Sequence, residues 1–217
     1  MKGLNTFTLK MIAIISMLID HIGHIFFPEV MLFRIIGRIA FPIFAYVLAE
    51  GIYFTTDITK YMLRLGIFAL LSEIPYDLAV MGSVLEFSRQ NVFFTLFFGV
   101  FLFWFYKKIT HDGWKLAVLA IMLFTVIFLC QWLNTDYSNI GILLIFAFYM
   151  YRDKKVGKLV LAGVLFLGLT GGLQLYALLT LPLIALHNRE QGPKMKTFFY
   201  LFYPAHLLIL YLVHLIV

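Results

Sequence analysis

The sequence predicts an all-α, polytopic transmembrane helix bundle, and three observations carry that prediction. Hydrophobic residues make up 63% of the 217-residue chain and charged residues only 13%, where a soluble domain has about 25% charged. The mean hydropathy is +0.96. Finally, Lys and Arg recur at the borders of apolar stretches of the length needed to cross about 30 Å of hydrocarbon at about 1.5 Å per helical residue. No Ser-, Gly- or Pro-rich linker, internal repeat or low-complexity tract divides the chain, so residues 1–217 are expected to form a single domain.

Nine candidate spans follow, at 9–27, 31–54, 60–81, 91–107, 114–133, 137–151, 157–171, 173–187 and 197–217. The first follows Lys2 and Lys10 and is succeeded by "HIGHIFFPEV" rather than a small-residue cleavage site, so it is expected to remain as an uncleaved span. The second carries Arg34 and Arg38. The third opens on Lys60 and Arg64 and carries Glu73 and Asp77 around Pro75. The fourth ends at Lys107 and Lys108. The fifth holds the one cysteine, Cys130, in an apolar run where it reads as a small hydrophobe. The sixth ends before Arg152, Lys154, Lys155 and Lys158. "TGG" at 170–172 separates the seventh from the eighth, and eight spans result if that break is not taken. The ninth follows Arg189, Lys194 and Lys196 and contains Pro204 and His206.

Fourteen of the 17 basic residues fall on one side under this count, leaving Arg34, Arg38 and Arg89. By the positive-inside rule the N-terminus is cytoplasmic and, with nine spans, the C-terminus external. The pI near 9.4 then reflects topology, since the basic residues are dispersed in short loops, and no nucleic-acid partner is expected.

Ionisable groups inside spans cost several kcal/mol and mark candidate functional positions. Counting along each helix places His21 roughly 16 Å from the cytoplasmic edge, Arg38 and Glu73 roughly 20 Å and His206 roughly 13 Å. Four helices thus bring a polar group to one layer. Asp20 and His24 are four residues apart, as are Arg34 and Arg38, and Glu73 and Asp77, so each pair shares a helix face. Pro75 and Pro204 are expected to bend their helices beside these groups, giving a kinked, polar-lined cavity open to the outside. The plain alternative is that such pairs only hold helices together. Arg34 is expected near the headgroups, His214 at the external end of its span, and His111 and His187 in solvent. His21, His24, Asp20 and His206 would also suit zinc, but neither HExxH nor CxxC is present and no metal is expected.

The stretches "LKMIAIISMLIDHIG", "GRIAFPIFAYVLAEG", "RLGIFALLSEIPYDL", "NVFFTL", "YSNIGIL" and "FYPAHLLILYL" resemble the TraX family of bacterial membrane proteins, from Lys10 to the C-terminus. That family is similar in turn to wider transmembrane acyltransferases, in which a basic residue opens the first helix and a polar catalytic residue stands eleven positions later. Here those positions are Lys10 and His21. The resemblance implies acetyl transfer from cytoplasmic acetyl-CoA to an amine or hydroxyl acceptor, protein or cell-envelope glycan, at the outer face of a bacterial cytoplasmic membrane. Under it, His21 is the base, Asp20 its neighbour, and Arg38 and His206 further catalytic residues. Lys10 and Arg38 meet the donor, while His24, Glu73, Asp77, Asn91 and Tyr137 meet the acceptor. A proton-coupled transporter would also place charges at mid-depth, but predicts repeats and discontinuous helices in matching halves. An envelope or pilus assembly factor is the third reading.

Overall fold

A computed structural model describes residues 3–110, 112–169 and 171–216. Lys2, His111, Thr170 and Val217, on which parts of the sequence reading rest, lie outside the described residues. The described chain is helical throughout: α1 (Thr6–Phe26), α2 (Met31–Gly37), α3 (Ala40–Phe54), α4 (Ile58–Tyr76) with a π-helical turn (Asp77–Met81), α5 (Val92–Lys108), α6 (Asp112–Trp132), α7 (Ser138–Met150), α8 (Lys155–Leu169), a 3₁₀ segment (Gly172–Leu179) leading into α9 (Thr180–Ala185), and α10 (Lys196–His214). Among the described residues four helical stretches are long and apolar enough to cross a membrane: Thr6–Phe26, Met31–Phe54, Asp112–Trp132 and Lys196–His214.

Local chemistry sets the helix ends. Asn5, Asp57 and Asn91 each turn a side-chain oxygen onto a free backbone N–H of the first turn, at Thr8, Lys60 and Phe93. Pro28, which has no N–H to donate, follows the end of α1.

The 31–54 segment, expected to be one helix, is two. Its break falls at Arg38–Ile39, whose N–H groups bond back only three residues, to Ile35 and Ile36. Pro42 explains the position: it cannot donate to the carbonyl four residues earlier, which is that of Arg38, and its ring crowds that carbonyl. The 60–81 segment ends in the π turn after Pro75, and the 173–187 segment begins as 3₁₀ helix. The distortion after Pro75 falls where a bend was expected, while the breaks at Arg38–Ile39 and in the 3₁₀ segment correct the expectation of uninterrupted spans.

Helices α1, α3, α4, α5, α7 and α10 form the centre, with α1 packed on α2, α3 and α10, α4 on α5 and α10, and α3 on α7. Leu9, Ala13, Ile43, Tyr46, Phe103 and Leu207 are among its fully buried side chains. Helix α6 lies outside and exposes Trp114, Leu116, Ile121, Phe124, Phe128 and Trp132, a surface suited to lipid. Short backbone pairings tie the loops at each end. Leu4, Thr6 and Phe7 bond to Leu186, Glu190 and Gln191 at one end, and Gln90 bonds to Asn134 and Asp136 at the other.

Helices α1 and α2 approach closely at two glycines. A Cβ placed on Gly37 would lie 2.1 Å from an Asp20 carboxylate oxygen and 2.3 Å from the Asp20 Cβ, and one on Gly23 would lie 2.2 Å from the Phe33 Cβ. Small residues let the helices approach this far. Gly37→Ala is therefore expected to push α2 off α1 and destabilise the protein by about 1–3 kcal/mol, the usual cost of overpacking. Thermal melting in detergent checks this; an unchanged midpoint would mean the helices are not held this close.

Candidate functional site

Adjacent residues on a helix point about 100° apart, and in α1 that separation divides "DH" between two partners. Asp20 faces α2. Its carboxylate accepts two hydrogen bonds from Arg38 Nη2, at 2.9 and 3.0 Å, and pairs with Arg34 Nη1 at 2.9 Å. Arg34 also donates to the Asp20 carbonyl at 3.3 Å, and Arg38 Nε to the Arg34 carbonyl at 3.2 Å. The side chains of Arg38 and Asp20 are only 9% and 13% exposed. Two guanidinium groups thus share one carboxylate, leaving one net positive charge beside His21. Arg34, expected at the headgroups, belongs to this cluster.

His21 faces α10. Its Nδ1 lies 2.9 Å from Nε2 of His206, whose Nδ1 is 2.7 Å from the Phe202 carbonyl. Phe202 stacks on the His206 ring, and Tyr203 sets its ring edge-on to both imidazoles. Depth counting placed His21, Arg38 and His206 in one layer, and the structure brings them together through Asp20 on one side and the histidine pair on the other.

The remaining predicted residues are placed differently. Asn91 caps α5 and donates to the Ala69 carbonyl at 2.8 Å and to the Glu73 carboxylate, so its side chain links α4 to α5. Asp77 is fully buried and accepts from the Glu86 backbone N–H at 2.8 Å, which holds the 82–90 loop. His24 is exposed and lines neither of the two cavities described here. Tyr137 stacks on Phe41, with centroids 3.8 Å apart, in a left-handed backbone conformation at φ 60°. Such a conformation is strained for a tyrosine and persists only where surroundings impose it. The neighbouring bonds of Thr95 to Thr135 and Asp136, and of Arg89 to Asp136 at 2.8 Å, do so.

Two cavities meet at this cluster. The larger, about 400 Å³, has Lys10, Arg64, Arg189, Lys194 and Lys196 at one end and Met17, Phe44, Val92 and Tyr203 at the other. Those last four residues also wall the smaller cavity, about 50 Å³, which His21, Asp20, Asp136 and Tyr137 line. The larger cavity thus opens on the Lys10 end, not the opposite end where an outward-opening cavity was expected. Arg64, Arg189, Lys194 and Lys196 are exposed, and Lys10 sits over the Phe199 ring at 5.2 Å. A long ligand with an anionic head and a narrow arm fits this shape. Among the described residues no group of three or more His, Cys, Asp or Glu is set to hold a metal ion.

A second buried network supports the basic rim. Glu50, a cavity-lining residue, pairs with Arg152 at 3.3 Å, and Arg152 lies over the Tyr53 and Phe54 rings. Lys158 donates to the Tyr46 hydroxyl at 3.3 Å, the hydroxyl lies 2.8 Å from His187 Nδ1, and His187 Nε2 lies 3.1 Å from Thr6 Oγ1. His187, expected in solvent, is part-buried and bonded on both ring nitrogens. Of the rim, the sequence singled out Lys10 by number; Arg64, Arg189, Lys194 and Lys196 entered only with the basic loops. Glu50 was missed because it stands four residues from the end of its segment, although an acid in "AYVLAEG" was visible by the rule that picked out Glu73.

A family model described as TraX protein matches residues 6–214. The chain is similar to an uncharacterized protein of Rickettsia prowazekii (strain Madrid E), 29% identical over 156 residues, which cover 70% of this chain; the chain spans only 58% of that relative. It is also similar to the probable fimbrial assembly protein FimC, serogroup H1, of Dichelobacter nodosus, 26% identical over 235 residues, with 95% of this chain and 94% of the relative covered. No solved structure matches.

The shared carboxylate generates a test. Removing one partner of a buried ion pair costs about 3–5 kcal/mol, and Asp20→Asn strands two arginines at once. Arg34→Gln leaves the Asp20–Arg38 pair whole. The melting midpoint in detergent is expected to fall much further for Asp20→Asn than for Arg34→Gln, and equal falls would remove Asp20 from the centre of the cluster.

Proposed function

The chain belongs to the TraX family, and from that membership we propose that it is a multi-pass acetyltransferase of the bacterial cytoplasmic membrane. It moves an acetyl group from cytoplasmic acetyl-CoA to an amine or hydroxyl on a protein or glycan at the outer face. The observation that carries this reading is the cavity along α1, with five cations at one end and His21 just beyond the other. Lys10 and His21 are eleven residues apart, or about 16 Å along the helix, so an anionic head held at the rim puts a reactive group at the imidazole only through a long arm.

The orientation in this proposal is N-terminus inside with nine crossings. Lys10 meets Phe199 and His21 meets His206, so α1 and α10 run in the same direction, as the first and last of an odd number of spans must. The N-terminal residues share an end with the 186–191 loop, and the 88–90 loop shares the other with 134–136, in agreement with the two sides assigned by charge.

Bound acetyl-CoA supplies an activated acetyl thioester. Lys10, Lys194, Lys196, Arg64 and Arg189 offer charge-assisted hydrogen bonds to its phosphates, and the apolar walls exclude water from its arm. His21 takes the proton that the acceptor's nitrogen or oxygen loses as it bonds to the acetyl carbon. It then hands that proton to the sulfur, which leaves as the carbon–sulfur bond breaks. The net positive charge of the Asp20–Arg34–Arg38 cluster favours the negative charge that develops on the carbonyl oxygen. Tyr137 and Asp136, at the far wall of the smaller cavity, face the acceptor's approach.

A second reading is a pilus or fimbrial assembly factor, favoured by the similarity to the Dichelobacter nodosus protein along 95% of this chain. It differs in requiring no covalent product. The test uses the purified full chain in detergent with acetyl-labelled CoA. Wild type is expected to bind acetyl-CoA with an affinity that falls as salt rises and to release or transfer label. His21→Ala is expected to lose about 10²–10⁴-fold in rate with binding near wild type. Lys194→Gln combined with Lys196→Gln weakens binding instead. Folded wild type that binds no acetyl-CoA would overturn the proposal and leave the assembly reading.

A further inference from the structure

The residue that orients His21 is not the aspartate beside it. A base imidazole is commonly held in one tautomer by a carboxylate on its other nitrogen, but the Asp20 carboxylate is taken up by Arg34 and Arg38. His21 Nδ1 is instead 2.9 Å from His206 Nε2.

The direction of that bond follows from its far end. The Phe202 oxygen, 2.7 Å from His206 Nδ1, is a carbonyl and can only accept, so His206 Nδ1 carries a hydrogen. A neutral imidazole has one ring N–H, which makes His206 Nε2 an acceptor. His21 Nδ1 must then be the donor, and His21 Nε2 is left with its lone pair. Phe202 stacked at 4.9 Å between centroids and the 5% exposure of His206 hold the ring that begins this chain. We propose that His206 is a positioning residue that fixes His21 in the Nδ1–H tautomer, so that Nε2 is the atom that accepts a proton. The geometric step stands without the acetyltransferase reading; only the use made of Nε2 rests on it.

The test reads the tautomer directly. Full-length protein with ¹⁵N-labelled histidine, in detergent at about pH 8, above the ordinary histidine value near 6.5, is examined by NMR correlation of ring nitrogens with ring protons. The His21 signals are assigned by their loss in His21→Gln. Wild type is expected to show a protonated Nδ1 and an unprotonated Nε2 at His21. The opposite pattern overturns the proposal, and the wild-type spectrum alone decides if His206→Ala does not fold. In folded His206→Ala the single-tautomer signature is expected to be lost. In His206→Gln, whose side-chain oxygen can accept from His21 Nδ1, it is expected to return. Retention of the wild-type pattern in His206→Ala overturns the assignment. A protein with this tautomer but no acetyl transfer would refute the proposed function and leave the positioning role in place.

Discussion

Much of the site depends on one carboxylate held by two arginines. Unpaired charge is costly inside a bilayer, so Asp20, Arg34 and Arg38 constrain one another, and through them α1 and α2. The close approach at Gly37 is what lets the short Asp20 side chain reach both guanidinium groups. With Asp20 committed to α2, the next residue is turned by about 100° toward α10, where His206 waits. The same commitment leaves His21 with a neutral partner instead of an anionic one, and surplus positive charge nearby.

The two ends of the bundle are built on different chemistry. At the Lys10 end, cations line a wide cavity, and the Glu50–Arg152 pair and the Lys158–Tyr46–His187–Thr6 chain fix the loops and helix ends that carry them. Arg64, Lys194 and Lys196 are exposed, and Arg189, also exposed, pairs with Asp153. At the Tyr137 end the cavity is narrow and its charged groups are paired, Asp136 with Arg89 and Asp20 with its arginines. A strained Tyr137 backbone, imposed by the surrounding bonds, completes that wall. Exposed cations thus collect at one end and paired charges at the other.

Segment positions were legible in the sequence because apolar stretches must be buried, and each of the nine segments overlaps described helix, while four described helical stretches are long and apolar enough to cross a membrane. Depth counting also worked for His21 and His206, since rise per residue is nearly constant along a helix. It does not distinguish a lining residue from a tie: Glu73 falls in the same layer yet bonds to Asn91. The break at Arg38 was legible in principle from Pro42 but reads as continuous by hydropathy. Arg34 stands only three residues into its segment, which suggested the headgroups, but its long side chain reaches back across the α1–α2 turn to Asp20. The Glu50–Arg152 and Tyr46–His187 links join residues far apart in sequence, and no local pattern announces them.

The eleven-residue interval between Lys10 and His21 has a geometric reason. At 3.6 residues per turn, eleven residues make about three turns, so the two side chains leave α1 in nearly the same direction. Both in fact meet α10, Lys10 at Phe199 and His21 at His206. Met17, seven residues after Lys10, lies on the same face and walls both cavities. An interval of ten would turn the second group toward α2, where Asp20 is, and an interval of twelve would turn it the other way by the same amount. Only an interval near eleven keeps the Lys10 ammonium and the His21 imidazole on a single line of cavity while separating them by three helical turns. Under the proposed function, that spacing matches a ligand about three helical turns long with its charge at one end.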